Sequence, residues 1–307
     1  METVIQIQQL TKSFKGVETV SNVNMNVKKG EIYGFLGPNG AGKTTIMKMI
    51  LNLVKPTSGE IKVLNQSIAN TSYQYLSKIG SIIEYPEFYN RLTAKENLEL
   101  HCKYIGVYEK GATEEALEIV GLNGVEHKKI HEFSLGMKQR LGIARAIVAK
   151  PEILILDEPI NGLDPIGIKD IRELLLHLKE KLGITILISS HIVSEVESIA
   201  DTIGILHRGQ LLKEVKMEDI RKENMEYLEI KIDDVKKTIH VLEDKLGIRK
   251  YEMINEHCIR IFEHNISQSQ INKELIFNNI TVNGIEKQQQ HLEEYFLNLI
   301  NGGNQIA

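Results

Sequence analysis

Gly37 and the run Gly42-Lys43-Thr44, with four residues between them, have the types and spacing of a loop that closes around the phosphates of a nucleotide. The chemistry follows from what these residues carry. Gly37, Gly40 and Gly42 have no side chain, so the backbone N–H groups of Asn39, Gly40 and Ala41, in a turn that Pro38 opens without a donor of its own, can approach phosphate oxygens closely. Lys43 brings a point charge to the outer phosphates. The Thr44 hydroxyl, with Thr45 beside it, is placed to ligate Mg²⁺. A nucleoside triphosphate is the ligand this set implies. Further along, Asp157 and Glu158 end the apolar run of residues 153–156, and adjacent acids at the end of a buried strand are costly unless a cation or a proton-transfer task uses them. Asp157 is placed to reach Mg²⁺, directly or through water, and Glu158 to polarise an attacking water. His191 ends the next apolar run, 184–190, where it is positioned to contact a γ-phosphate.

Three other residues or groups offer chemistry less sharply. Phe14, between two strand-like runs, suits either stacking on a base or a place in the core. Glu84 follows a short apolar strand, at the kind of strand end where α/β folds do ligand chemistry, and read locally it is also an ordinary solvated loop charge. Ser134 reads as a helix N-cap, and a helix start carrying Ser and Gly is a second potential anion site.

The elements that must hold these groups alternate between strand and helix. Residues 32–36 read as a strand leading into the phosphate loop, and Ile46, Met49, Ile50 and Leu53 fall at helical spacing after it. Residues 4–10 and 20–27 read as strands; in the second, Val23, Met25 and Val27 alternate with Asn22, Asn24 and Asn26. Thr93 and Glu96 form a capping-box pattern, and helical pattern dominates from about 85 to 150, which suggests a helical subdomain inserted into an α/β core. Residues 153–156 and 184–190 are continuous apolar runs typical of central parallel strands. Asp164-Pro165 reads as the cap and first residue of a helix closed by Gly183. Residues 203–206 and 210–215 read as an edge hairpin.

Beyond about residue 215 the pattern changes to βαββαβ plus a terminal helix with Leu292, Tyr295, Phe296, Leu299 and Ile300. That order suits a small ferredoxin-like α+β domain at 216–307, after a nucleotide-binding domain at 1–215. No chemical motif is visible in the second part.

Composition narrows the setting. Among 307 residues, 37 Lys plus Arg face 41 Asp plus Glu, a formal charge of -4, so a nucleic-acid surface is not implied. Two cysteines, Cys102 and Cys258, form neither a disulfide framework nor a metal pattern and fit a reducing compartment. No apolar run approaches the ~20 residues that cross a bilayer, so the chain is expected in the cytosol.

Taken in order, the phosphate loop, Phe133-Ser134-Leu135-Gly136-Met137-Lys138-Gln139-Arg140, the acid-ended strand, Asn161-Gly162-Leu163-Asp164 and His191 resemble the ATP-binding subunits of ABC transporters, over about residues 4–215. The resemblance implies a P-loop NTPase (ABC ATPase) core with ATP and Mg²⁺ as cofactors. It implies two copies stacked head to tail, with Ser134, Gly136 and Met137 of one capping the γ-phosphate held by the other. It also implies a transmembrane permease on the loop of residues 84–90, which keeps the subunit peripheral on the inner membrane face. Where the family usually has a Gln touching Mg²⁺ and the permease, this chain has Glu84, which the resemblance therefore implies as a metal residue beside Thr44 and Asp157. That Glu, together with IGSIIEYPEFYNRLTAKENL, FSLGMKQRLGIARA, LDEPINGLDPIGIKDIRELL and EEYFLNLI, resembles the subgroup that exports bacitracin and lantibiotics. Ile160 stands where Thr is common. The rival from another class is a soluble ABC-type ATPase acting on nucleic acid or ribosomes; such proteins usually carry two cassettes or a long coiled-coil insertion with basic segments, and this chain has one cassette and a slight acidic excess.

Overall fold

A computed structural model describes residues 2–69, 73–222, 226–263 and 266–289. The chain divides into two compact units, Met1–Met217 and Glu218–Ala307.

The first unit opens with two long antiparallel strands, β1 (Thr3–Phe14) and β2 (Val17–Lys28). Both run further than their apolar alternation predicts, because bulges between Ile7 and Lys12 break the period of two, with Gln9 at φ 48°. The short, fully buried β3 (Ile32–Leu36) leads into α1 (Lys43–Ile50). Leu53 does not extend that helix. The chain leaves through Asn52 in the left-handed region, φ 55°, and Leu53 is 65% exposed. β4 (Ser58–Val63) and β5 (Gln66–Ser67) complete a four-stranded sheet of order β2-β1-β4-β5.

After β6 (Ile79–Ile82) come the helices of the inserted part, α2 (Ala94–Ile105), α3 (Ala112–Ile119) and α4 (Leu135–Ile147). Thr93 and Glu96 form the full reciprocal capping box, which fixes where α2 starts. β7 (Ile153–Leu156) is buried throughout, as its unbroken apolar run requires. The helix α5 (Pro165–Leu182) is capped by Asp164, whose carboxylate accepts the Gly167 N–H at 2.8 Å, and stops at Gly183, φ 66°. β8 (Thr185–Ser190), the short α6 (Val193–Glu197), β9 (Thr202–His207) and β10 (Gln210–Lys216) follow, and then α7 (Met217–Lys222).

The second sheet has the order β10-β9-β3-β8-β7-β6, with β10 antiparallel at one edge and the other five strands parallel. Parallel strands between helices bury both faces, and one core joins α1 to both sheets while a second joins α2 to α5 and the far face of the parallel sheet. All five parallel strands point their C-terminal ends the same way. The residues that follow β3, β6, β7 and β8 are therefore gathered at one edge, where α/β sheets bind ligands.

The second unit is β11 (Glu226–Ile232), α8 (Val235–Asp244), β12 (Tyr251–Asn255), β13 (Cys258–Ile261), α9 (Gln268–Phe277) and β14 (Val282–Gln289). Its sheet order is β12-β13-β11-β14, antiparallel throughout, which is the ferredoxin-like arrangement. Its own core includes Ile230, Leu242, Ile259 and Leu275, none of them accessible to solvent. The terminal helix expected around Leu292 lies outside the described residues.

Candidate functional site

The loop between β3 and α1 has the geometry its glycines predict. A Cβ on Gly37 would meet the Leu206 carbonyl oxygen at 2.3 Å, and Gly40 and Gly42 sit at φ 81° and 105°. Both features exclude larger side chains. Pro38, Asn39 and Gly40 form an exposed rim; Gly37, Ala41, Gly42 and Lys43 are buried, and Thr44 and Thr45 half-buried. Gly42 caps α1 without any side-chain hydrogen bond, and the first-turn N–H groups of a helix, which have no partner within it, suit an anion. Lys43, 5% exposed, folds back onto the loop, donating to the Gly37 carbonyl at 2.6 Å and approaching that of Pro38 at 3.4 Å.

The two adjacent acids after β7 part company. Asp157, 4% exposed, accepts the Thr44 hydroxyl at 2.8 Å on one oxygen and the Ser189 hydroxyl at 2.7 Å on the other. Glu158 adopts φ 49°, a left-handed conformation rare for a residue with a Cβ, and its N–H is held by Ser189 Oγ at 2.9 Å. Its carboxylate lies 3.2 Å from Lys43 Nζ and 2.8 Å from His191 Nδ1. These partners offset the cost of taking both carboxylates out of water. Ser189 was not singled out from sequence. The one signal is a pair of hydroxyls, Ser189 and Ser190, ending an otherwise apolar run.

Glu84 is placed apart from this cluster. At φ 63°, with its side chain 68% exposed, it pairs with Lys48 at 2.7 Å rather than with Thr44 or Asp157. The hydrogen bond from Lys48, and then its charge, holds the Glu84 carboxyl below the usual carboxylate range. Phe14 is the last residue of β1 rather than a loop residue, 44% exposed, with Lys12 Nζ 4.8 Å from its ring centre. Ser134 caps α4, accepting the Met137 N–H at 3.3 Å, and is exposed together with Leu135. The Asn161–Asp164 turn packs on this helix start: a Cβ on Gly162 would touch Leu135 at 3.3 Å, and one on Gly136 would lie 3.9 Å from Leu163. The structure thus joins Lys43, Thr44, Asp157, Glu158 and His191 in one contact network, while Ser134 with its helix start, Glu84 and Phe14 contact other partners.

Fold and cluster define a P-loop nucleoside triphosphatase whose parallel sheet carries an inserted helical part. Residues 20–161 match the ABC transporter family model. The chain is 54% identical to YcbN of Bacillus subtilis, an uncharacterized ABC transporter ATP-binding protein, over 99% of both chains. It is 48% identical to the bacitracin transport ATP-binding protein BcrA of Bacillus licheniformis, again over 99% of both. The lantibiotic transport ATP-binding protein SrtF of Streptococcus pyogenes is 46% identical over 73% of this chain and 95% of its own. Among solved structures, a dimeric ATP-binding cassette in a post-hydrolysis state with ADP and Pi superposes with TM-score 0.62 at 29% identity, covering 69% of this chain and 98% of that one. The chain belongs to the ATP-binding subunits of ABC transporters, and its activity is ATP hydrolysis.

Proposed function

We propose that this chain is the ATPase of an exporter that removes a peptide antibiotic of the bacitracin or lantibiotic kind, and so confers resistance or immunity. The observation that carries this reading is similarity along the full length to a bacitracin transport subunit, together with an intact Lys43–Glu158–His191 cluster. Phosphoryl transfer needs positioning and charge stabilisation more than covalent help. Lys43 leaves its loop carbonyls for the outer phosphates, Glu158 aligns the attacking water and His191 contacts the γ-phosphate. Phe14 stacks on the base. The hydroxyl of Thr44 and the carboxylate of Asp157 are hard oxygen donors already in contact, the donor chemistry that Mg²⁺ takes. Bound there, Mg²⁺ neutralises charge on the phosphates.

Two copies close head to tail, each bringing Ser134, Gly136 and Met137 to the nucleotide of the other. A separate permease sits on residues 84–90. A cavity of about 200 Å³ lined by Tyr85, Pro86, Phe88, Asn90, Leu135 and Gln139 supports that placement, because it joins the loop to the start of α4. A peripheral place on the inner membrane face is the reading that similarity to transport ATP-binding subunits supports; among the described residues no helix is long and apolar enough to cross a membrane.

The test is a susceptible strain carrying this chain with its permease, challenged with bacitracin and with a lantibiotic. Raised tolerance to either, lost on Glu158→Gln, is the expected result. Unchanged tolerance to both overturns the substrate class.

A further inference from the structure

We propose that Lys48 is a positioning residue that parks Glu84 on α1 and surrenders it when a divalent cation enters beside the nucleotide. The inference rests on the reading of Thr44 and Asp157 as the Mg²⁺ site.

Thr44 and Lys48 are four residues apart on α1 and so share one face, one turn apart. Thr44 meets Asp157, the residue after β7, at 2.8 Å. Lys48 meets Glu84, two residues after β6, at 2.7 Å. β6 and β7 are parallel neighbours with Ile82 opposite Leu156, and the Asp157 N–H donates to the Ile82 carbonyl at 2.9 Å. Two carboxylates therefore leave adjacent strand ends and are met by successive turns of one helix. The inner one finds a neutral hydroxyl; the outer one finds an ammonium.

The two pairings differ in what they leave available. Asp157 is buried and fixed by Ser189 as well as Thr44. Glu84 has a side chain 68% exposed and a partner 32% exposed, a setting in which an ion pair is weak and exchanges readily. Glu84 also opens the 84–90 loop in a left-handed conformation, φ 63°, so a change of partner at this carboxylate acts on the backbone where the loop begins.

The test titrates Mg²⁺ against binding of a fluorescent, non-hydrolysable ATP analogue to the full chain, which reads affinity without turnover. Lys48→Met is expected to lower the Mg²⁺ concentration for half-maximal binding about two- to fivefold, the range of a lost exposed ion pair. Lys48→Arg keeps the pair and is expected to match the wild type. In a Glu84→Gln background Lys48→Met is expected to change nothing. An equal shift in that background would show Lys48 acting through its field on the site, and would overturn the proposal. No shift in the wild-type background, or a shift to higher Mg²⁺, overturns it too. Thr44→Ala separates the two readings: if it leaves the Mg²⁺ dependence untouched, the metal site itself is misassigned.

Discussion

His191 Nδ1 lies 2.8 Å from Glu158 Oε2, while the other oxygen of the same carboxylate faces Lys43 Nζ at 3.2 Å. One carboxylate thus ties the phosphate loop to the end of β8, across residues that adjoin only because β3, β8 and β7 are neighbouring parallel strands. Lys43 is satisfied by two loop carbonyls and Glu158, so a triphosphate replaces one set of partners with another instead of filling a bare charge.

Replacing Glu158 by Gln keeps the shape of that bridge and removes its charge. ATP binding is expected to persist, while turnover falls by about 10²–10⁴-fold, the usual loss when a group that handles the attacking water is removed. Phosphate release and nucleotide binding, measured on the same sample, check this. Hydrolysis near the wild-type rate would remove Glu158 from the role.

Ser189 has no solvent exposure and is shared between Asp157 Oδ1 and the Glu158 N–H. Ser189→Ala leaves both groups short of a partner in a buried place, at a cost of about 1–3 kcal/mol. It also releases Glu158 from the hydrogen bond that holds its left-handed backbone. A denaturation midpoint that falls together with kcat is the expected outcome; a lower midpoint with unchanged kcat would make Ser189 a matter of packing alone.

The form of the loop between β3 and α1 was legible in the sequence because its residues are contiguous: Gly37, Gly42, Lys43 and Thr44 lie within one turn, and no distant residue is needed to read its shape. The ferredoxin-like unit was legible too, since alternation in β11 and the Val235, Ile239, Leu242 stripe of α8 report burial locally. The Ser189 bonds were not. Its partners are 31 and 32 residues away, and a hydroxyl inside an apolar run carries no sign of what it faces. The Lys48–Glu84 pair spans 36 residues and depends on β6 lying beside β7, which local pattern does not specify. The far ends of β1 and β2 escaped for another reason: bulges there shift the register that alternation depends on.

Asn97 anchors the 84–90 loop from α2. It is 6% exposed, accepts the Tyr89 N–H at 2.9 Å and donates to the carbonyls of Tyr89 and Thr93 at 3.2 and 2.9 Å. From α4, Arg145 adds a bond to the Glu87 carbonyl at 2.7 Å and stacks over the Phe88 ring. Asn97→Ala is expected to cost about 1–3 kcal/mol and to loosen the loop, which limited proteolysis would report as faster cutting at Tyr85–Asn90. Retention of the chain on detergent-solubilised permease should fall in parallel. Unaltered cutting with normal retention would mean that Asn97 is not what holds the loop, and would leave that to Arg145 and to His131, whose N–H and ring meet the Asn90 carbonyl.

The second unit has a core of its own, so damage there is expected to stay there. Leu242, on α8, has no solvent exposure and belongs to the cluster with Ile230, Ile259, Ile271 and Leu275. Leu242→Ala removes three buried carbons and leaves a cavity, at about 2–5 kcal/mol. In a unit this small such a loss is a large share of the total stability. Hydrogen exchange on the full chain reads the two units separately: protection should fall in β11 and β13 and hold in β3 and β8, whose core contains none of these residues. Basal ATP hydrolysis should hold as well. A matching loss of protection in β3 and β8 would show the two units unfolding as one, and the separate core would then not be a separate cooperative unit.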